Sequence, residues 1–309
     1  MRHQVRDGQI LQMIYDYDGV VARRQLKTRF WPTASWRAME KRLALLHRHN
    51  FIYWPLKHQR QSKPIPEPIV WLGWQGALWI AGRSGLEVEP PQGENEYQLR
   101  RFEKRLRDVG IHWLREPRWN QLDHDLAVAD FRMMVEASAS GLPRVSVETW
   151  MNEGTFRSRM DVVEFALAGS GGHTQKHRKG VRPDGYFVLV DAHRRGDGSP
   201  ARARFLLELD MATHDNPSFG KEKAAPGLAY IQSQAYKSRF GDNAGRWLVV
   251  TTGERRMSNL MRQTCESVGM SGMRVFLFTF FDAVKKENVL TSPIWHEAGR
   301  DQPLALISD

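Results

Sequence analysis

Apolar residues recur at helical spacing through the first fifty residues of the chain. The spacing predicts three helices, at residues 8–17, 21–30 and about 35–50, with a turn between the second and third. The inner stripe of the third helix is predicted to consist of Trp36, Met39, Leu43 and Leu46. Two short apolar runs follow, at 51–54 and 69–72, and each is typical of a strand.

A second face of the third predicted helix is basic. Arg37, Lys41, Ala44 and Arg48 fall at i, i+4, i+7 and i+11. The loop between the two predicted strands is also basic and contains proline. Three helices followed by a two-stranded wing form a winged helix-turn-helix, whose third helix enters the major groove of DNA while the wing contacts the backbone.

The residues expected to contact DNA lie on that helix and that loop. They are Arg37, Lys41, Arg48, Lys57, Arg60 and Lys63. A basic helix face that is only solvated is the alternative interpretation, and many winged helices also bind proteins.

Charge strengthens the nucleic-acid interpretation. The chain has 309 residues and a formal net charge of +10. Residues 1–63 contain 13 Lys and Arg against 4 Asp and Glu, so 13 − 4 = +9 of this charge lies in the first fifth of the chain. Such a positive field favours a polyanion, and double-stranded DNA is the leading candidate. No basic segment is paired with a large apolar face, which disfavours an anionic membrane.

Features that the sequence lacks indicate the cellular compartment of the protein. No apolar run is long enough to cross a membrane, and the N-terminus does not resemble a signal peptide. Cys265 is the single cysteine, so the chain cannot form an intrachain disulfide. We therefore expect a cytoplasmic protein.

The rest of the chain predicts an α/β domain. A short apolar helix at 73–82 completes an N-terminal domain of residues 1–82, residues 83–95 form a linker, and residues 96–309 form the second domain. In the second domain, helices are expected at 96–109, 123–137, 226–240 and 254–268. Strands are expected at 144–150, 186–190, 204–209, 246–252 and 274–281. This order predicts a sheet with helices on its faces.

Acidic residues interrupt the apolar strands of this domain. Asp184 precedes one strand, and Glu208 and Asp210 lie on the next, where alternation points them to the same face. Carboxylates are costly to bury without a partner, and a divalent metal is one reason to keep them there. Pairing with nearby arginines is the alternative. A cationic loop is predicted at 168–180, either facing nucleic acid or simply solvated.

These acids and the order of elements resemble the PD-(D/E)XK nuclease fold. The resemblance implies that Asp184 and Glu208 hold Mg²⁺ and that a lysine two residues after Glu208 orients the attacking water. Asp210 occupies that position here, which is a departure from the pattern. Some nucleases of this fold take the lysine from the following helix, where this chain offers Lys221, Lys223 and Lys237, and Lys223 is favoured by its reach.

The whole chain also resembles the replication-relaxation family of plasmids and integrative elements. The resembling segments are the winged helix, residues 71–76, residues 124–131, residues 182–185, and residues 207–210 followed by Tyr230 and Tyr236. The resemblance implies a winged helix joined to a PD-(D/E)XK-like domain, and action on mobile-element DNA in replication or copy-number control.

Three functions remain open on this basis. The first is a non-catalytic DNA-binding protein of a plasmid or integrative element, whose nuclease-like domain serves as a second platform for DNA or protein. The second is a Mg²⁺-dependent endonuclease in which Asp184, Glu208, Asp210 and Lys223 are catalytic. The third is a protein-interaction module that binds replication, mobilisation or defence proteins, with Trp31, Trp36 or Trp54 as anchors. A homodimer would fit duplex recognition.

Overall fold

The computed structural model describes residues 3–168, 173–196, 198–212, 216–300 and 302–307. The chain divides into two compact units, residues 1–130 and 131–309. The point of division lies within one helix, α7, whereas the predicted linker lies at 83–95, of which residues 84–95 form neither helix nor strand. Compactness and independent folding are different criteria, so the predicted domain boundaries stay a prediction.

The first unit is built mainly from helices. Its elements are α1 (Val5–Asp16), β1 (Val20–Ala22), α2 (Arg23–Phe30), α3 (Trp36–Arg48), β2 (Ile52–Tyr53), α4 (Lys57–Ser62), β3 (Ile69–Leu72), α5 (Trp74–Arg83), α6 (Glu96–Asp108), a 3₁₀ turn (Trp119–Gln121) and the first half of α7 (Leu122–Ser140). The three strands form an antiparallel sheet in the order β1-β3-β2.

A buried ion pair connects α1 to α3. The Asp7 side chain is fully buried, and its Oδ1 accepts a hydrogen bond from Arg42 Nε at 2.7 Å. The other carboxylate oxygen accepts the backbone N–H of Gln4 at 2.8 Å and caps α1. Because a buried carboxylate is costly without such partners, this contact specifies how the two helices pack.

Two details of the first unit differ from the sequence prediction. Val21 was expected in the second helix but pairs in β1 with Val70 of β3, as β-branched residues favour. Trp36 was expected in the core but is 52% exposed at the first position of α3, whereas Met39, Leu43 and Leu46 are buried as predicted. The segment predicted as the wing loop contains a short helix, α4, which the sequence analysis did not anticipate.

The second unit contains a mixed six-stranded sheet. Its elements are β4 (Val145–Asn152), α8 (Glu153–Ser158), β5 (Asp161–Ala168), β6 (Thr174–Val181), β7 (Gly185–Gly196), β8 (Ser199–Asp210), α9 (Asn216–Phe219), a π-helical segment (Gly220–Ala224), α10 (Ala225–Ile231), α11 (Gln234–Phe240), β9 (Arg246–Thr251), α12 (Glu254–Met273), β10 (Phe276–Phe280), a 3₁₀ turn (Phe281–Ala283) and β11 (His296–Glu297).

The strand order of this sheet is β11-β10-β9-β8-β7-β4. Strands β8, β9 and β10 are parallel, and the remaining pairs are antiparallel. Helices α10, α11 and α12 cover one face, where Leu206, Val249 and Phe278 pack with Tyr230 and Leu260. The protein is therefore mixed α/β with a mixed sheet, as the sequence predicted at this level.

The segment predicted as a cationic loop is largely a strand. β5 and β6 form a separate antiparallel hairpin, in which Phe165 lies opposite His177 and the two rings stack. Residues 174–180 were therefore wrongly predicted, because an exposed strand rich in lysine and histidine lacks the apolar alternation on which strand prediction depends. Residues 169–172 of the predicted loop lie outside the described residues.

The helix predicted at 226–240 is interrupted. It forms α10 and α11, and the Ser233 hydroxyl caps α11 by accepting the N–H of Tyr236. Strands β7 and β8 are longer than predicted, because they continue beyond their apolar segments as a polar hairpin. Regular helical geometry in α12 stops at Gly269, whose φ is +67°, which agrees with the predicted end at 268. Within the described residues, no helix has the length and apolar character that a membrane span requires.

Substitutions at two glycines, Gly73 and Gly82, test how closely the elements of the first unit pack. A Cβ added at Gly73 would lie 2.2 Å from the backbone oxygen of Asn50, whereas one added at Gly82 meets no atom within 4 Å. We expect Gly73→Ala to lower the free energy of unfolding by about 1–3 kcal/mol, because backbone must move. The matched Gly82→Ala change within α5 should raise it by about 0.5–1 kcal/mol. Urea denaturation measures both, and equal effects would contradict this packing.

Candidate functional site

The pairing of β7 with β8 brings two acidic residues together. Gly185 lies opposite Leu207, which brings Asp184, the residue before Gly185, near Glu208, the residue after Leu207. The Asp184 N–H donates to Leu207 O at 2.9 Å, and Asp184 Oδ2 accepts the Leu209 N–H at 2.7 Å. Asp184 and Glu208 are both 7% exposed, so they form a buried acidic pair at the end of the sheet.

Lys223 completes this cluster. Its Nζ lies 2.6 Å from Glu208 Oε1. Lys223 belongs to the π-helical segment between α9 and α10, and such wide turns often occur at functional sites. Lys221 and Lys237, the other two lysines considered from the sequence, are exposed and form no ion pair with a carboxylate within the described residues. We call Asp184, Glu208 and Lys223 the acid–lysine cluster; its catalytic role stays a prediction.

The two carboxylates keep Lys223 charged. Burial disfavours the ammonium group, but the charges of Glu208 and Asp184, together with the hydrogen bond to Glu208, outweigh burial and raise the pKa of Lys223. The side chain is therefore a cationic hydrogen-bond donor at neutral pH. It can stabilise negative charge or orient a bound group, but it cannot serve as a general base in this state.

Asp210 is held separately from the cluster. Its Oδ2 accepts a hydrogen bond from the Thr251 hydroxyl at 2.6 Å, and its Oδ1 accepts one from Arg256 Nη2 at 2.8 Å. This is the arginine pairing that the sequence analysis gave as the alternative to a metal site. The contacts assign Asp210 a part in joining β8, β9 and α12, and its proposed catalytic role stays a prediction.

A cavity of about 270 Å³ opens beside the cluster. Glu208 and Lys223 line one side, and residues 179–182, from the end of β6 and just beyond it, line another. Lys179 forms an ion pair with Glu222, which lowers the pKa of that carboxyl group. Sequence reasoning missed this contribution of β6, because the segment was interpreted as a loop; the alternation of Val163 and Phe165 in β5 was the available signal.

The carboxylates of this site could hold magnesium only together with oxygen ligands from a substrate. Among the described residues, no group of three or more His, Cys, Asp and Glu side chains is arranged to hold a metal. Magnesium, however, is usually bound by one or two carboxylates with substrate phosphates and water. Asp184 and Glu208 match that smaller requirement. The bound ion would supply charge that polarises a phosphate and activates water.

The six basic residues predicted to contact DNA are all exposed in the first unit. Arg37, Lys41 and Arg48 lie on α3, and Lys57, Arg60 and Lys63 lie on or next to α4. None of the six forms an ion pair with a carboxylate within the described residues. Other arginines of the same unit are neutralised: Arg23 pairs with Glu40 at 2.9 Å, and Arg42 with Asp7. Six exposed cations without a carboxylate partner among the described residues therefore lie on α3 and on or next to α4.

The three tryptophans considered as protein anchors differ in exposure. Trp31 is 4% exposed. Trp54 is half-buried, with the guanidinium of Arg23 at 4.7 Å from its ring centroid and the ring of His47 at 3.9 Å. Trp36 is exposed at the start of α3, beside the basic face. Of the three, therefore, only Trp36 is available to a partner.

The Lys223 contact predicts a pH-dependent contribution to stability. The pKa of Lys223 is raised on folding, so the stabilisation from its charge is complete below pH 10.5, the ordinary lysine value, and is lost as the pH rises through the raised pKa. Because the lysine side chain is 41% exposed, solvent screens the pair, and Lys223→Met should cost about 1 kcal/mol at pH 8.

Urea denaturation from pH 8 to 11.5 measures this difference. The gap between wild type and Lys223→Met should shrink above pH 10.5, whereas Lys237→Met, which removes an exposed lysine, should leave the free energy of unfolding nearly unchanged. A gap that widens with rising pH would contradict the assigned pair.

Comparison with known proteins identifies the family. The family model described as replication-relaxation matches residues 11–243, which includes all three members of the acid–lysine cluster and the basic face of α3. No curated protein and no solved structure matches the chain. The match confirms the resemblance drawn from the sequence and indicates a role in replication or relaxation. The chain belongs to the replication-relaxation family.

Proposed function

We propose that this protein binds double-stranded DNA of a plasmid or integrative mobile element through its first unit, and acts there in replication or copy-number control. The observation that carries the proposal is the exposed basic face of α3 together with the exposed basic residues of the wing. Because these cations have no carboxylate partner among the described residues, they are available to phosphates.

The order of elements supports a winged helix-turn-helix. Helices α1, α2 and α3 are followed by the β2–β3 pair, and β1 adds a third strand to that sheet. Ser35 caps α3 by accepting the N–H of Ala38, so the helix begins sharply with Trp36 and Arg37 exposed. In such a fold α3 would lie in the major groove, and Lys57, Arg60 and Lys63 would contact the backbone.

The length of α3 suits this role. Arg37 and Arg48 are eleven residues apart, which corresponds to about 16 Å along the helix axis. The basic side chains thus extend along most of one side of the helix, and Ala44 between them allows close approach. Arginine at such positions can donate two hydrogen bonds to a guanine, and lysine can contact phosphate.

A binding assay with duplex DNA tests the proposal. With about five to seven phosphate contacts, the log–log dependence of the binding constant on salt should have a slope of about −4 to −6. Arg37→Ala combined with Lys41→Ala should weaken binding by at least about tenfold and make the slope shallower by about two.

The matched control is Arg101→Ala combined with Arg107→Ala on α6. It removes two exposed cations that, like Arg37 and Lys41, form no ion pair with a carboxylate within the described residues, and it should change binding little. Affinity that does not depend on salt, or equal losses in the two double variants, would reject the assignment of α3.

A second function is favoured by one specific observation, the contact between Lys223 Nζ and Glu208 Oε1 at 2.6 Å. A PD-(D/E)XK-like site needs a lysine beside its acidic pair. In this chain the π-helical segment provides that lysine, because strand β8 has Asp210 at the usual position. Asp184 and Glu208 would hold Mg²⁺, and the Lys223 ammonium group would orient the attacking water and stabilise charge on the phosphate. The protein would then be a metal-dependent endonuclease.

Cleavage assays distinguish this enzyme from an inactive nuclease-like domain. Supercoiled and branched DNA would be incubated with the protein and Mg²⁺ or Mn²⁺. For the enzyme, Asp184→Ala and Glu208→Ala should abolish nicking, and Lys223→Met should slow it by at least about a hundredfold, as loss of a charge-stabilising donor does. Lys237→Met is the control and should cleave normally. Absence of cleavage by the wild type, while DNA binding persists, would leave the first function standing alone.

A further inference from the structure

A second cavity, of about 840 Å³, lies in the unit formed by residues 131–309 and is lined by three arginines. Arg246 begins β9, Arg274 lies two residues before β10, and Arg300 lies three residues after β11. Glu297 is the one carboxylate among the described residues that line it. Each arginine thus comes from a different one of three adjacent strand ends.

The sheet register explains why these residues meet. Trp247 lies opposite Phe276, and Leu277 lies opposite Glu297, so the start of β9, the start of β10 and the end of β11 are neighbours. The Trp247 N–H donates to Val275 O at 2.7 Å and extends the ladder to this edge. The cavity is therefore built by strand pairing and does not depend on a long loop.

The cavity and the acid–lysine cluster lie on different faces of the sheet. Glu208 of the cluster pairs with Val249, three residues along β9 from Arg246. Three steps of about 3.3 Å separate Val249 from Arg246 by about 10 Å along the strand, and alternation points their side chains to opposite faces.

The charge in the cavity is not balanced by the protein. Arg246 and Arg274 are exposed and form no ion pair with a carboxylate within the described residues. Arg300 Nη1 lies 3.9 Å from Glu297 Oε2, which is a loose contact, and the Arg300 side chain is 59% exposed. Three cations against one carboxylate create a positive field that favours an anion.

We propose that this cavity binds phosphate groups. The planar guanidinium donates paired hydrogen bonds that match phosphate oxygens, and three of them can surround one or two phosphates. The volume lies within the range of ligand cavities. The remaining described lining residues are Met273, Ala298 and Gly299, with no aromatic ring on which a base could stack. Recognition therefore rests on phosphate, which can belong to a nucleic-acid strand or to a free phosphate compound.

Inorganic pyrophosphate is the probe for this site. Titration calorimetry on the full chain should show binding to the wild type, and Arg246→Gln combined with Arg274→Gln should weaken it by at least about tenfold. Arg255→Gln combined with Arg262→Gln removes the same charge from exposed positions on α12 outside the cavity and should leave the affinity unchanged. Arg300→Gln, beyond the last strand, gives a second variant that leaves the parallel strands intact and should weaken binding several-fold.

Competition with DNA identifies the source of the phosphate. If a duplex or single-stranded oligonucleotide displaces pyrophosphate from the wild type and from Arg37→Ala/Lys41→Ala alike, the site holds a nucleic-acid strand. If it does not, the site holds a free phosphate compound. Failure to bind pyrophosphate, or equal losses in the cavity and control variants, would overturn the proposal. Because the pyrophosphate titration needs no DNA, its result is independent of whether α3 binds DNA.

Discussion

Burial of carboxylates at one end of the mixed sheet is the constraint on which the candidate site depends. Asp184, Glu208 and Asp210 are each less than one-tenth exposed, and each requires compensation for lost hydration. The compensation differs in the three cases. A backbone N–H of β8 donates to Asp184, a lysine ammonium group to Glu208, and an arginine with a threonine hydroxyl to Asp210. These differences separate Asp210, which joins neighbouring elements, from the acidic pair beside Lys223.

The arginines and lysines also differ in whether an oppositely charged partner compensates them. Some cations are neutralised and hold the structure together, as Arg42 does with Asp7 and Arg239 does with Asp161 at 2.5 Å. Others, such as Arg37 and Arg246, are exposed and have no carboxylate partner among the described residues. The first group contributes to packing, and the second creates the positive fields that suit a phosphate polymer. Formal net charge alone does not distinguish the two groups, although the excess of +10 is already evident from composition.

Membership in the replication-relaxation family indicates a role in replication or relaxation. The chemistry of the residues limits which activities could serve that role. The exposed basic residues of α3 and of the segment predicted as a wing support the proposed duplex binding. An acidic pair with an adjacent lysine in the second unit supports either a phosphodiester-cleaving site or its inactive remnant. Both interpretations concern the same class of ligand, a phosphate polymer. For this reason DNA binding and DNA cleavage must be measured separately.

The sequence by itself determined the local elements and their chemistry. Apolar periodicity located α1, α3, β9, β10 and α12, and alternation along β8 placed Glu208 and Asp210 on one face, because these patterns depend only on nearby residues. It failed where tertiary contacts override local preference, at the polar strand β6, at the break between α10 and α11, and at exposed Trp36. The sequence favoured Lys223 by its reach, but only the tertiary structure decided that Asp184 and Glu208 lie together beside it, that Arg256 binds Asp210, and that three arginines near strand ends share a cavity. Those contacts join residues that are distant along the chain, so their geometry follows from strand register and helix packing, which no local pattern encodes.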